Sequence, residues 1–333
     1  MEIGAIMIFI QIIILIIGFA ALVKGADIFV DGSAALARRF KVSSLIIGLT
    51  IVAFGTSAPE LAVSTTAALK QSNDLALSNV VGSNIFNLLV VLGSCAVFAP
   101  VPSSTEVLKR DMPFSLIITA LVWMLGGGAA FYAAEKSHST STNQVIGTID
   151  RVDGIIILAL FIGYMFFLIR SAKKHPEPDE EKHDNGSLLK NIVFMLLGIG
   201  LIVAGGQAVV NSAKEIAYSF GMSETLVGLT IVAVGTSLPE LVTSIVAARK
   251  HETGLAVGNV VGSNLFNIMF ILGITAVISP VAVSYESTID ILFLILVSAL
   301  SYIFLITGKE LNRWEGLTMI ALYVAQVVYA VMR

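Results

Sequence analysis

Charge, cysteine and histidine are all scarce in this chain. Only 13% of its 333 residues are Asp, Glu, Lys or Arg, roughly half the share usual in soluble domains, which excludes an ordinary soluble fold. The single cysteine, Cys95, rules out an intramolecular disulfide and any multi-cysteine metal site, and its apolar neighbours mark it as a core residue. His138, His175, His183 and His251 all fall in connecting segments, so a buried histidine proton switch is not expected. No basic stripe suggests nucleic acid, and the net charge of −3 describes loops rather than a partner surface. The start of the chain lacks a basic region and a small-residue cleavage motif, so 6–23 reads as a retained first span.

Apolar residues make up 56% of the chain, and the mean hydropathy is +0.91. The apolar runs suit helices of about 20 residues across the bilayer, whereas barrel strands would alternate over about ten. The expectation is an all-α integral membrane protein with ten transmembrane helices, near 5–37, 44–70, 75–99, 112–132, 153–170, 188–217, 224–248, 255–279, 287–306 and 314–331. The first and sixth exceed one crossing and carry Gly18, Gly25, Gly198, Gly200, Gly205 and Gly206, which suggests tilted helices in close, sliding contact. The most charged stretch, 173–187, carries two prolines and reads as a solvated linker. With both termini outside, fourteen Lys and Arg lie on the cytoplasmic side against five outside, which places the linker in the cytoplasm.

The segment 48–93 recurs at 228–273, at a constant offset of 180 residues and without a gap. The chain is thus divided into a first five-helix repeat (1–172, motif 43–100), the linker (173–187) and a second repeat (188–333, motif 223–280). Five spans is an odd number, so the second repeat is inverted relative to the first. Inverted repeats are the plan of alternating-access transporters, with the substrate near the midplane.

Each repeat carries GTSxPE inside an apolar helix, with Thr56, Ser57, Pro59 and Glu60 in the first and Thr236, Ser237, Pro239 and Glu240 in the second. A carboxylate at that depth is costly and points to function. Proline lacks an N–H and glycine weakens the turn, so each helix is expected to break and free carbonyls around Ala53 to Gly55 and Ala233 to Gly235. In the following span Asn79, Ser83 and Asn87 recur every four residues, as do Asn259, Ser263 and Asn267. An oxygen-only cage with two carboxylates suits a hard cation, and the six to eight oxygens taken by Ca²⁺ better than Mg²⁺, Zn²⁺ or Cu²⁺. Competition of Na⁺ or protons for the emptied carboxylates would produce exchange. Asn79, Asn84, Asn259 and Asn264 read either as ligands or as helix-packing groups, and Gly82 and Gly262 as packing positions. Lys24, Asp27 and Asp31 read as an interfacial ion pair or as an ion vestibule. No histidine or lysine accompanies either motif serine, which argues against an enzyme.

These paired motifs resemble the α-repeats of the Ca²⁺/cation antiporter superfamily, in particular its prokaryotic sodium/calcium exchanger branch, and the resemblance spans the whole chain. It implies an antiporter that extrudes Ca²⁺ against Na⁺, lodged in the lipid bilayer, with no cofactor and no obligate protein partner. It makes Glu60 and Glu240 the shared Ca²⁺ and Na⁺ ligands, and places Asn87 and Asn267 in the remaining central positions. Ser57, Ser83, Ser237 and Ser263, with Thr56, Thr236 and the carbonyls of Ala53 and Ala233, complete the flanking Na⁺ sites. Exchange for H⁺, or of another divalent cation, on the same scaffold is the alternative, with a passive channel behind it. The sequence departs from the family in carrying Asn267 where well-known members have aspartate, which bears on stoichiometry, proton use and K⁺ dependence.

Overall fold

The computed structural model describes residues 2–71, 73–102, 104–128, 130–131, 145–174, 187–222, 233–308 and 310–332. Helix α1 (Glu2–Phe40) is followed by α2 (Ser44–Thr56), α3 (Ala58–Leu69), α4 (73–98), α5 (Met112–Leu125) and α6 (Arg151–Lys174). The second half contains α7 (Leu188–Ser219), α8 (Ala233–Thr236), α9 (Leu238–Arg249), α10 (Thr253–Ile278), α11 (Tyr285–Gly308) and α12 (Arg313–Met332). Among the described residues six helices are long and apolar enough to cross a membrane, and α2 with α3, bent by 50°, makes a seventh. Of the remaining expected spans, 112–132 and 224–248 overlap the shorter helices α5 and α9, and 314–331 lies within α12. Residues 223–232, at the start of the expected seventh span, and 175–186, most of the expected linker, lie outside the described residues.

Helix α1 stops where Lys41 takes φ 53°, and Val42 N–H closes onto the Ala37 carbonyl at 3.0 Å. Helix α9 stops in the same way, with His251 at φ 62° and Glu252 N–H on the Ala247 carbonyl at 2.9 Å. A left-handed residue with this back-bond satisfies carbonyls that a helix end leaves orphaned. The two ends are joined by Arg38 and Glu252, 3.3 Å apart. Lys250 reaches both Asp27, at 2.5 Å, and Asp31, at 2.7 Å, while Lys24 also pairs with Asp27 at 2.7 Å. The charges on α1 are therefore ion-paired, chiefly to a lysine of the other half that the sequence alone did not single out.

Glycines set the helix contacts. A Cβ on Gly25 would lie 2.9 Å from the Gly198 carbonyl oxygen, and one on Gly205 would lie 2.7 Å from that of Gly18, so α1 and α7 touch backbone to backbone. Such small-residue seams replace the hydrophobic drive that lipid does not supply. Helices α2 and α10 meet in the same manner through Gly48, Gly258 and Gly262. Gly262 thus has the packing role expected of it, whereas nothing among the described residues lies within 4 Å of a Cβ on Gly82.

The fold is helical but not purely so. Val101–Pro102 (β1) pairs antiparallel with Glu310–Leu311 (β4), and Val145–Ile149 (β2) with Val281–Ser284 (β3). Each ladder joins a connector of one half to a connector of the other. These strands are too short to give a membrane-spanning signal, and their partners lie more than 130 residues away, so the apolar pattern gave no sign of them.

Candidate functional site

The GTSxPE segments bend the helices with little unwinding. Ser57, at φ −82° and ψ 9°, is the only residue between α2 and α3, and Ser237, at φ −93° and ψ 7°, stands alike between α8 and α9. Proline occupies the first turn of the new helix in each case, where its missing N–H costs least. The expectation of a free Ala53 carbonyl needs correcting, because it accepts the Ser57 N–H at 3.0 Å, with the Thr56 hydroxyl oxygen 3.4 Å away. A one-residue break leaves this helical bond intact. Ala233 begins α8.

Restarting the helix turns Glu60 and Glu240 into the centre of the molecule, where both are fully buried. Their partners come from the opposite half. Ser57 Oγ donates to Glu240 Oε1 at 2.9 Å, and Ser237 Oγ donates to Glu60 Oε1 at 2.9 Å. Within each half the following helix adds a second hydroxyl, Ser83 Oγ to Glu60 Oε1 and Ser263 Oγ to Glu240 Oε1, both at 3.4 Å. The threonines also cross over. Thr56 Oγ1 donates to Asn259 Oδ1 at 2.9 Å, and Thr236 Oγ1 reaches Asn79 Oδ1 at the longer distance of 3.5 Å.

Asn79 and Asn259 have structural partners of their own. Asn79 Nδ2 donates to Ser64 Oγ at 2.9 Å and to the Glu60 carbonyl at 3.3 Å. Asn259 Nδ2 makes the equivalent bonds to Ser244 Oγ at 2.9 Å and to the Glu240 carbonyl at 3.4 Å. Both asparagines fasten the bent helix to the next one. Ser64 and Ser244 were not anticipated, although each lies four residues after a motif glutamate, one helical turn along.

The remaining oxygens define what the site can hold. Glu60 Oε2, Glu240 Oε2, Asn87 Oδ1 and Asn267 Oδ1 are buried and make no hydrogen bond among the described residues. A buried carboxylate oxygen without a partner costs several kcal/mol, so it calls for a positive ligand. Asn87 opens one stretch of wider, i to i+5 turns, Asn87–Leu92, and Asn267 is the second residue of another, Phe266–Ile271. Turns of this kind recur at functional sites in helices. Among the described residues no histidine or cysteine ligand competes, so the site suits a hard cation.

Comparison with known proteins gives one family. The family model described as sodium/calcium exchanger protein matches residues 10–170 and 190–332. The sodium/calcium exchanger MaX1 of Methanosarcina acetivorans is 33% identical over 345 residues, covering 97% of this chain and 99% of the relative. The inner membrane protein YrbG of Escherichia coli is 36% identical, covering 80% of this chain and 79% of the relative. Among solved structures, the sodium-calcium exchanger NCX_Mj, soaked with Na⁺ and Sr²⁺, superposes with a TM-score of 0.81 at 28% identity, covering 96% of this chain and 98% of that one.

Proposed function

Because the chain belongs to the sodium/calcium exchanger family, whose members are multi-pass membrane cation antiporters rather than enzymes, we propose that it exchanges Ca²⁺ for Na⁺ at one central site. The observation that carries this reading is the matched pair of buried glutamates, each held through one oxygen by the other half's serine and with its second oxygen unpartnered. Glu60 and Glu240 are the shared ligands, with Asn87 and Asn267 beside them. Ser57, Ser83, Ser237, Ser263, Thr56, Thr236 and the Ala233 carbonyl take up the flanking Na⁺ ions, the hydroxyls turning their lone pairs inward when a cation arrives.

Two carboxylates neutralise one Ca²⁺, and two Na⁺ ions neutralise the same pair, so the two cargoes compete for the same oxygens. An emptied site with two facing charges resists transfer across the barrier, whereas a filled one is compensated. This restriction turns two binding equilibria into obligatory exchange.

Access is switched by the glycine-seamed pair α1 and α7 sliding as a unit over the remaining helices. The repeats 1–172 and 188–333 are inverted, their ten helices cross the membrane with both termini outside, and 173–187 lies in the cytoplasm. The experiment is uptake of ⁴⁵Ca²⁺ into proteoliposomes at fixed membrane potential, with either a Na⁺ gradient or a pH gradient. Uptake driven by Na⁺ alone is the expected result. Uptake driven only by the pH gradient would make the chain a Ca²⁺/H⁺ antiporter, and flux without either gradient would make it a channel.

A further inference from the structure

Asn84 and Asn264 point to a feature of the site that its ligand set does not include. Both are buried where the two halves meet, three residues before Asn87 and Asn267. Asn84 Nδ2 donates to the Asn264 backbone carbonyl at 3.1 Å, and Asn267 Nδ2 donates to Asn84 Oδ1 at 3.0 Å. The direction of this chain is fixed at its first link. A backbone carbonyl only accepts, so Asn84 must offer it the amide nitrogen and turn its oxygen to Asn267. Asn267 must then answer with its own nitrogen, which leaves Oδ1, buried and without a partner among the described residues, as the atom available to a cation.

The other half lacks this last link. Asn264 Nδ2 donates to the Asn84 carbonyl at 3.4 Å, but Asn264 Oδ1 and both amide atoms of Asn87 have no hydrogen-bond partner among the described residues. The two central amides are therefore unequal in a site that is otherwise closely symmetric.

We propose that Asn84 is a positioning residue that holds Asn267 with its amide oxygen turned to the ion, so that the second half presents a preorganised ligand and the first an adaptable one. The inference rests on the reading of Asn267 as an ion ligand. A flipped Asn267 would present an NH₂ group to the cation, so fixing the amide removes a repulsive state and the entropy of choosing between two.

The test is Na⁺-driven ⁴⁵Ca²⁺ uptake by the full chain in proteoliposomes, comparing Asn84→Ala, Asn267→Ala, the double variant and Asn264→Ala. Asn84→Ala is expected to raise KM for Ca²⁺ about five- to tenfold, the weight of one ordinary hydrogen bond, with kcat nearly unchanged. The double variant should be no worse than Asn267→Ala alone, and Asn264→Ala should stay close to wild type. Additive effects, an unchanged KM in Asn84→Ala, or an equal rise in Asn264→Ala would overturn the proposal. An unchanged KM in Asn267→Ala would instead overturn the reading of Asn267 as a ligand. Should Asn84→Ala fail to fold, Asn84→Ser, whose shorter side chain does not reach Asn267, takes its place with the same expected rise in KM, and an unchanged KM would again overturn the proposal.

Discussion

Ser57 in the first half donates its hydroxyl to Glu240 in the second at 2.9 Å, and Ser237 returns the same bond to Glu60. Neither glutamate is held by its own GTSxPE serine. The site therefore exists only while the two halves are in register, and a shift of one against the other changes both carboxylates together. A transporter that must release its cargo on either side can use that coupling.

The crossed bonds set a specific pattern of non-additivity. A hydrogen bond to a charged group is worth about 1.5–3 kcal/mol, so Ser57→Ala and Ser237→Ala should each raise KM for Ca²⁺ about tenfold or more. Ser57→Ala should add nothing to a conservative change at Glu240, such as Glu240→Asp, beyond that variant's own loss, yet should add fully to Glu60→Asp. The opposite pairing in ⁴⁵Ca²⁺ uptake would mean that each serine serves its own half.

Backbone contact at the glycine seam predicts where added bulk destabilises. A Cβ on Gly48 would lie 2.8 Å from the Leu255 carbonyl oxygen, while one on Gly200 would meet nothing within 4 Å among the described residues. Gly48→Ala should cost about 1–3 kcal/mol through overpacking and lower the melting temperature in detergent. Gly200→Ala should be neutral or stabilising, since alanine is favoured over glycine by about 1 kcal/mol inside a helix. Equal melting temperatures for the two variants would contradict the tight seam.

Topology can be read from cysteine labelling. Cys95 is fully buried, so the wild-type chain should not react with a membrane-impermeant maleimide. Gln71 and His251 are equivalent across the 180-residue offset, both exposed, and both left-handed after a helix, at φ 59° and 62°. In inverted repeats they face opposite sides of the membrane. Gln71→Cys should label in intact cells, and His251→Cys only after permeabilisation. Labelling of both from one side would rule out the inversion.

Much of this arrangement is legible in the sequence, because duplication and the cost of a membrane-embedded carboxylate both act at the level of the residue pattern. Glu60 and Glu240, the bend after Thr56, and the oxygen-bearing faces of α4 and α10 follow from local spacing. The crossing of the serines does not, since sequence spacing says which side chains share a face but not which helix that face meets. The same reason hid the Asn267–Asn84 bond, the Lys250 contacts to Asp27 and Asp31, and the two cross-half strand ladders. The supposed free Ala53 carbonyl was an error of another kind, as proline and glycine weaken a turn without dictating how many residues unwind.

The most direct test of the central claim is equilibrium binding of ⁴⁵Ca²⁺ to the purified chain in detergent without Na⁺, followed by titration with NaCl. One Ca²⁺ per chain, displaced by Na⁺ and lost alike in Glu60→Gln and Glu240→Gln, is the expected result. Undiminished binding in either variant, or Ca²⁺ that Na⁺ does not displace, would contradict a single site shared by both glutamates and both ions.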